Sequence, residues 1–159
     1  IGLNNIPYFI LPGDGLELNA IKSKVKKLKL ETKVLFTGHL TDLYYPLLSV
    51  SDIVILPSIS NEDFPNVIME SMAYGKAIIA SEIAGIPEQI SHNFSGLLVE
   101  PGNILDLYEK IRHLFKNDKT INLLGLNAQN DYQKKFSLDV SLSNYLSFYN
   151  SLEKKHIQI

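Results

Sequence analysis

A doubly wound α/β fold, with a Rossmann-like parallel sheet flanked by helices, is what this sequence predicts. Three observations carry that expectation. Short apolar runs alternate with segments of helical period, and the loops between them are brief. Two of the runs, Ile53-Val54-Ile55-Leu56 and Ala77-Ile78-Ile79-Ala80, are apolar throughout. Such runs suit strands buried on both faces, as in parallel sheets.

The elements follow in order. Tyr8-Phe9-Ile10-Leu11 reads as a strand ending at the turn Pro12-Gly13-Asp14-Gly15. A helix follows, with Ile21, Val25 and Leu28 facing one way and Lys22, Lys24, Lys26, Lys27 and Lys29 around the rest. Val34-Leu35-Phe36 is the next strand, closed by Thr37-Gly38, and a short helix is expected over residues 43–49. After the strand 53–56, residues 58–66 read as loop and 67–74 as helix, stopped by Gly75. Ala77-Ile78-Ile79-Ala80 and Leu97-Leu98-Val99 complete the strands, the latter ended by Pro101-Gly102. From about residue 103 the chain is helical, over 104–115, 120–136 and 138–152, with 153–159 expected to fray. Neither a linker nor an internal repeat interrupts 1–159, which reads as one domain.

Composition narrows the function classes. The chain has 159 residues, 45% hydrophobic and 20% charged, enough for a buried core. A formal net charge of −2 and a pI near 6.1 argue against a nucleic-acid binder. The chain has no cysteine, so it has neither disulfides nor thiol catalysis. No apolar stretch reaches the ~18 residues of a membrane span, and no targeting segment is visible. A cytoplasmic setting is expected.

The chemistry concentrates in the loop after Leu56, at the carboxyl end of a predicted strand, where open α/β sheets bind ligands. A helix is expected to start near Asn66 or Val67. Its free N–H groups and its dipole favour an anion such as phosphate, with Asn66 as the candidate N-cap. Glu70 stands about one turn into that helix, and helical side chains lean toward the N-terminus. A carboxylate only accepts hydrogen bonds, so it pairs with a vicinal diol such as ribose. Glu62 lies on the loop before the helix and could accept from a second polyhydroxylated group. Spacing alone leaves the plainer readings open, with Glu70 a dipole partner and Glu62 a solvated loop residue.

These residues carry a resemblance. Glu62-x7-Glu70, with Phe64-Pro65-Asn66 inside it and Ser71-Met72-Ala73-x-Gly75 after it, resembles the signature of retaining GT-B glycosyltransferases of the GT4 kind. Gly13-Asp14-Gly15, the strand 34–38, Ser51-Asp52 through Leu56-Pro57-Ser58, Ala84-Gly85-Ile86-Pro87-Glu88, Gly96-Leu97-Leu98-Val99 and Phe136-Ser137 continue it in order. The likeness covers most of the chain and matches the family's C-terminal, donor-binding domain. Two departures stand out: Asp63 where the family usually has glycine, and Ala77 where proline is usual.

The resemblance implies transfer of a sugar, with retention, from a nucleoside-diphosphate sugar to a glycan or lipid-linked acceptor. By that likeness Glu70 would hold the ribose hydroxyls. Glu62, the candidate in the catalytic centre, would contact donor-sugar hydroxyls and orient the ring rather than act as an acid. The backbone N–H groups of Phe64 and Asn66 would line the sugar and diphosphate, with Pro65 between them in the same binding segment, and Val67 would pack near the ribose. Gly38, His39 and Leu40 would sit by the nucleobase. The family's Arg and Lys pair, after the first strand of this domain, has no counterpart before Tyr8, and that first, central strand is not in the sequence. The resemblance therefore implies part of a larger enzyme whose N-terminal acceptor domain is elsewhere, and 159 residues inactive alone.

No cofactor is expected, and no metal: there is no Asp-x-Asp motif, and His39, His92, His113 and His156 lack paired ligand spacing. The lysine-rich helix could touch anionic lipid at the inner membrane face, although a solvated face is the plainer reading. Tyr132, Phe136, Tyr145, Phe148 and Tyr149 could line an acceptor cleft, with core packing the plainer role for most. Two other classes remain in view: a GT-B nucleotide-sugar epimerase, and a flavodoxin- or receiver-like regulatory module. The acidic cluster and lysine of a receiver are not evident.

Overall fold

In the computed structural model, residues 7–60 and 62–156 are described. They fall into two compact units, Ile1–Leu47 and Leu48–Ile159.

The first unit holds β1 (Phe9–Pro12), α1 (Leu18–Lys27) and β2 (Val34–Gly38). β1 and β2 run parallel, with Phe9 opposite Val34 and Leu11 opposite Phe36. The predicted helix stripe is only thinly covered. Val25 is partly buried, whereas Ile21 and Leu28 are exposed. Of its lysines, Lys22 lies over a ring, with Nζ 5.6 Å from the Phe36 centroid, and beyond the helix Lys33 Nζ is 4.0 Å from that of Tyr8. Lys24, Lys26 and Lys27 fill the last turn of α1, where the helix dipole favours cations.

α2 (Tyr44–Val50) leads into the second unit. There β3 (Ile53–Leu56), α3 (Asn66–Ala73), β4 (Ala77–Ser81), α4 (Ile86–Gln89) and β5 (Leu97–Val99) precede α5 (Ile104–Phe115), α6 (Asp118–Lys135) and α7 (Leu138–His156). The strands form a parallel sheet in the order β3-β4-β5. β4 is central and buried along its whole length. Its alternate residues feed two cores, as a period of two requires. Ile78 and Ala80 join Ile68, Met72, Ile86 and Ala128 on one face. Ala77 and Ile79 join Leu97, Val99, Leu114 and Leu124 on the other. α5 starts on an Asn103 cap, whose Oδ1 accepts from the Asp106 N–H at 3.0 Å. His92 Nδ1 accepts from the Leu98 N–H at 2.9 Å, so that ring serves the strand.

The structure bears out the α/β class with parallel strands flanked by helices, and corrects four details. The described strands form two sheets, one in each unit, rather than one. β3 is partly buried at all four positions, because it pairs only with β4 and stands at the edge of its sheet. The single turn α4 was not expected, and it is built around Pro87 in its first turn. Of the five aromatics assigned mostly to core, only Tyr132 and Phe136 pack against it. Tyr145, Phe148 and Tyr149 are exposed on α7. The end of the predicted fraying tail, 157–159, lies outside the described residues. Among the described residues no helix is long and apolar enough to cross a membrane.

Candidate functional site

The loop between β3 and α3 is shaped at its far end by Pro65. Pro65 takes the cap position with φ −64° and ψ 125° and makes no side-chain cap hydrogen bond. Asn66, the expected N-cap, is instead the first helical residue and is exposed. Proline's fixed φ suits the entry to a helix, and its missing N–H costs nothing there. The Ile68 N–H bonds the Pro65 carbonyl at 3.1 Å. The N–H groups of Asn66 and Val67 precede any possible intrahelical acceptor, so the helix itself cannot satisfy them. With no side chain capping it, the start of α3 presents two donors and the positive end of a dipole to an anion.

Along the chain, Glu62 lies on the loop before that helix start and Glu70 on the helix after it. Both are partly buried. Ser58 Oγ donates to Glu62 Oε1 at 2.9 Å across the loop, which orients the carboxylate and leaves its other oxygen able to accept. Glu70 is on the second turn of α3, on the helix whose start the Asn66 and Val67 N–H groups form. The α3 helix is held at its other end by Gly75 at φ +63°, whose N–H bonds the Met72 carbonyl. Ser71 and Met72, from the quoted motif, are fully buried against the core.

The loop is also tied from behind. The Gly85 N–H donates to the Glu62 carbonyl at 3.3 Å. Phe64 meets Phe136 edge-on, with centroids 5.8 Å apart at 72°. Gln89 is fully buried, and its Nε2 donates to the Pro65 carbonyl at 3.2 Å. Its Oε1 is buried without a partner among the described residues. Ser58, Gly85, Gln89 and Phe136 are thus residues of the site that spacing did not single out. Apart from Ser58, whose partner Glu62 is four positions on, their partners lie 23 to 72 positions away, and no local pattern reports such pairs.

The second unit therefore brings Glu62, Phe64, Pro65, Asn66, Val67 and Glu70 onto one loop and helix start. Gly38, His39 and Leu40 close β2 and follow it in the first unit, with His39 exposed and Leu40 partly buried. A depression of about 210 Å³ in the first unit is lined by Asp14, Leu18, Ile21 and Phe36 among others, and by none of the residues assigned to the donor. Among the described residues no three His, Asp or Glu side chains form a group that could hold a metal.

A parallel α/β sheet with this acid-flanked helix start has counterparts among known proteins. Residues 4–131 match the family described as glycosyl transferases group 1, and the chain belongs to that family. Its α/β fold, with parallel strands flanked by helices, matches about two fifths of the length of GT-B enzymes. The chain is 34% identical over 140 residues to N-acetyl-alpha-D-glucosaminyl L-malate synthase of Bacillus anthracis, covering 88% of this chain and 36% of that protein. It is 36% identical over 108 residues to N,N'-diacetylbacillosaminyl-diphospho-undecaprenol alpha-1,3-N-acetylgalactosaminyltransferase of Campylobacter jejuni, covering 68% of this chain and 28% of the relative. Among solved structures it resembles the Anabaena protein HepE in complex with UDP, with a TM-score of 0.84 and 27% identity over 91% of this chain and 41% of that one. A glycosyltransferase from Rickettsia africae gives 0.83 and 31% over 94% and 41%. The chain thus spans well under half the length of these relatives.

Proposed function

We propose that this chain is the donor-binding domain of a retaining glycosyltransferase, which moves a sugar from a nucleoside-diphosphate sugar to a glycan or lipid-linked acceptor. The observation that carries the reading is the uncapped start of α3, flanked by Glu62 and Glu70. The diphosphate would lie on the Asn66 and Val67 N–H groups. Glu70 would accept from the ribose hydroxyls and Glu62 from the sugar hydroxyls, with its carboxylate oriented by Ser58. Phe64 and Pro65 would present backbone to the sugar, Val67 would pack on the ribose, and Gly38, His39 and Leu40 would face the base.

In the transfer, the bond from the anomeric carbon to the diphosphate oxygen breaks, a bond to the acceptor oxygen forms on the same face, and the acceptor's hydroxyl proton passes to the departing diphosphate. Negative charge grows on the departing diphosphate. The α3 N–H groups and dipole are preorganised to stabilise it. The chain spans 36% of the Bacillus anthracis relative and 41% of HepE. The proposal therefore includes an acceptor-binding partner domain, and inactivity of the 159 residues alone.

The bound nucleotides of the solved relatives support this reading: HepE structures contain UDP, and UDP-glucose. The Campylobacter relative's name carries a diphospho-undecaprenol acceptor, which supports the lipid-linked class and, with it, work at the cytoplasmic face of a membrane. Neither the epimerase nor the regulatory reading draws support from these relatives. Calorimetric titration of the chain with UDP-, GDP- and ADP-glucose tests the proposal. Saturable binding of one of them is expected, and binding of none would contradict it.

A further inference from the structure

Gly85 has an ordinary backbone, with φ −81° and ψ −6°, a conformation that every residue adopts. Its lack of a side chain is therefore needed for space and not for backbone freedom. A Cβ built on Gly85 would overlap the Asp63 carbonyl oxygen and come within 3.5 Å of Phe64 Cδ2. The same residue's N–H holds the Glu62 carbonyl. Just before it, Ala84 sits at φ 48°, in the left-handed region that L residues rarely occupy. Gly85 is buried, and Ile86 after it is fully buried in the core. The turn from β4 into α4 is thus bent against its local preference and pressed onto the backbone of 62–64. Phe136 meets the Phe64 ring edge-on and is itself packed on the core.

We infer that Gly85 and Phe136 are positioning residues for the sugar-binding backbone, setting where residues 62–64 stand although neither touches the sugar. The inference rests on the donor-site reading of that loop. A methyl group at Gly85 pushes the Asp63 peptide outward, and with it the Glu62 carboxylate and the Phe64 N–H. The loop is polar and at the surface, so it yields before the core does. Phe64 is half-exposed, and its ring acts as the loop's anchor. Loss of the edge-on contact frees the same backbone.

Two variants of the whole chain, Gly85→Ala and Phe136→Leu, test this by NMR and calorimetry with UDP-glucose as the probe. Without nucleotide, G85A is expected to shift the Glu62, Asp63 and Phe64 amides and leave those of Ile78 and Leu98 in place. Its affinity for UDP-glucose should fall by roughly tenfold or more, since small misplacements of binding groups are expensive. F136L keeps an apolar side chain at this position but removes the ring, and is expected to weaken binding several-fold. A lower Tm with unmoved loop amides and unchanged affinity of the folded protein would overturn the inference, as would wild-type affinity in F136L should G85A fail to fold. If wild-type chain binds no nucleotide-sugar, the donor reading fails, while the apo amide shifts still decide whether Gly85 positions the loop.

Discussion

Ser58 and Glu62 face each other across the β3–α3 loop, hydroxyl to carboxylate, at 2.9 Å. The bond leaves Glu62 one oriented carboxylate with lone pairs to spare. On the proposed function that carboxylate meets the sugar and not the nucleotide. Ser58→Ala is therefore expected to weaken UDP-glucose several-fold, on the order of one hydrogen bond to a charged group. UDP itself should bind as before. Paired titrations with the two ligands check this, and equal losses for both would contradict the assignment.

Glu70 is assigned to the other end of the donor. Glu70→Ala is expected to weaken UDP by a few-fold to about tenfold. It should also erase the preference for UDP over 2'-deoxy-UDP, because the acceptor that reads the diol is gone. Competition binding of the two nucleotides measures that preference. A preference that survives in E70A would mean Glu70 supports the helix and does not hold ribose.

Packing behind the site gives a test with a reversed sign. Gly125 lies within α6, where Gly to Ala ordinarily stabilises by about 1 kcal/mol. Here a Cβ would overlap the Gly75 carbonyl oxygen at the end of α3. Overpacking of about 1–3 kcal/mol outweighs the propensity gain. Gly125→Ala should lower the Tm by several degrees in a thermal melt. A raised Tm would show that α3 and α6 can part at little cost.

Much of this was legible in the sequence. Ile53–Leu56 and Leu97–Val99 begin and end where the apolar runs do, and α5 runs from Ile104 to Phe115 as its period predicts. The Glu62-x7-Glu70 loop and the helix after it were legible too, because a turn, a helix start and a stop at Gly75 are local events. What was not legible depends on partners distant in the chain. The apolar run of β3 looks like that of β4, yet only β4 is fully buried, since a run cannot report how many neighbours it pairs with. Asn66 looked like a cap by residue type, but Pro65 beside it holds the non-helical φ and ψ. Gly85 appeared only as part of a motif, and its purpose is set by Asp63, far back in the chain.

The proposed chemistry uses donors from a helix end and acceptors from two glutamates, with no metal. Binding of UDP-glucose is therefore expected to be the same in a chelator as in millimolar magnesium. A strict requirement for the metal in calorimetry would show that the diphosphate is held in another way.

The central claim is that the start of α3 holds the diphosphate between two acidic hydroxyl acceptors. The direct measurement is an NMR titration of the isotopically labelled chain with UDP. The account predicts saturable shifts centred on the amides of Asn66 and Val67, extending to Glu70. Shifts confined to residues away from this loop, with those three unmoved, would contradict it.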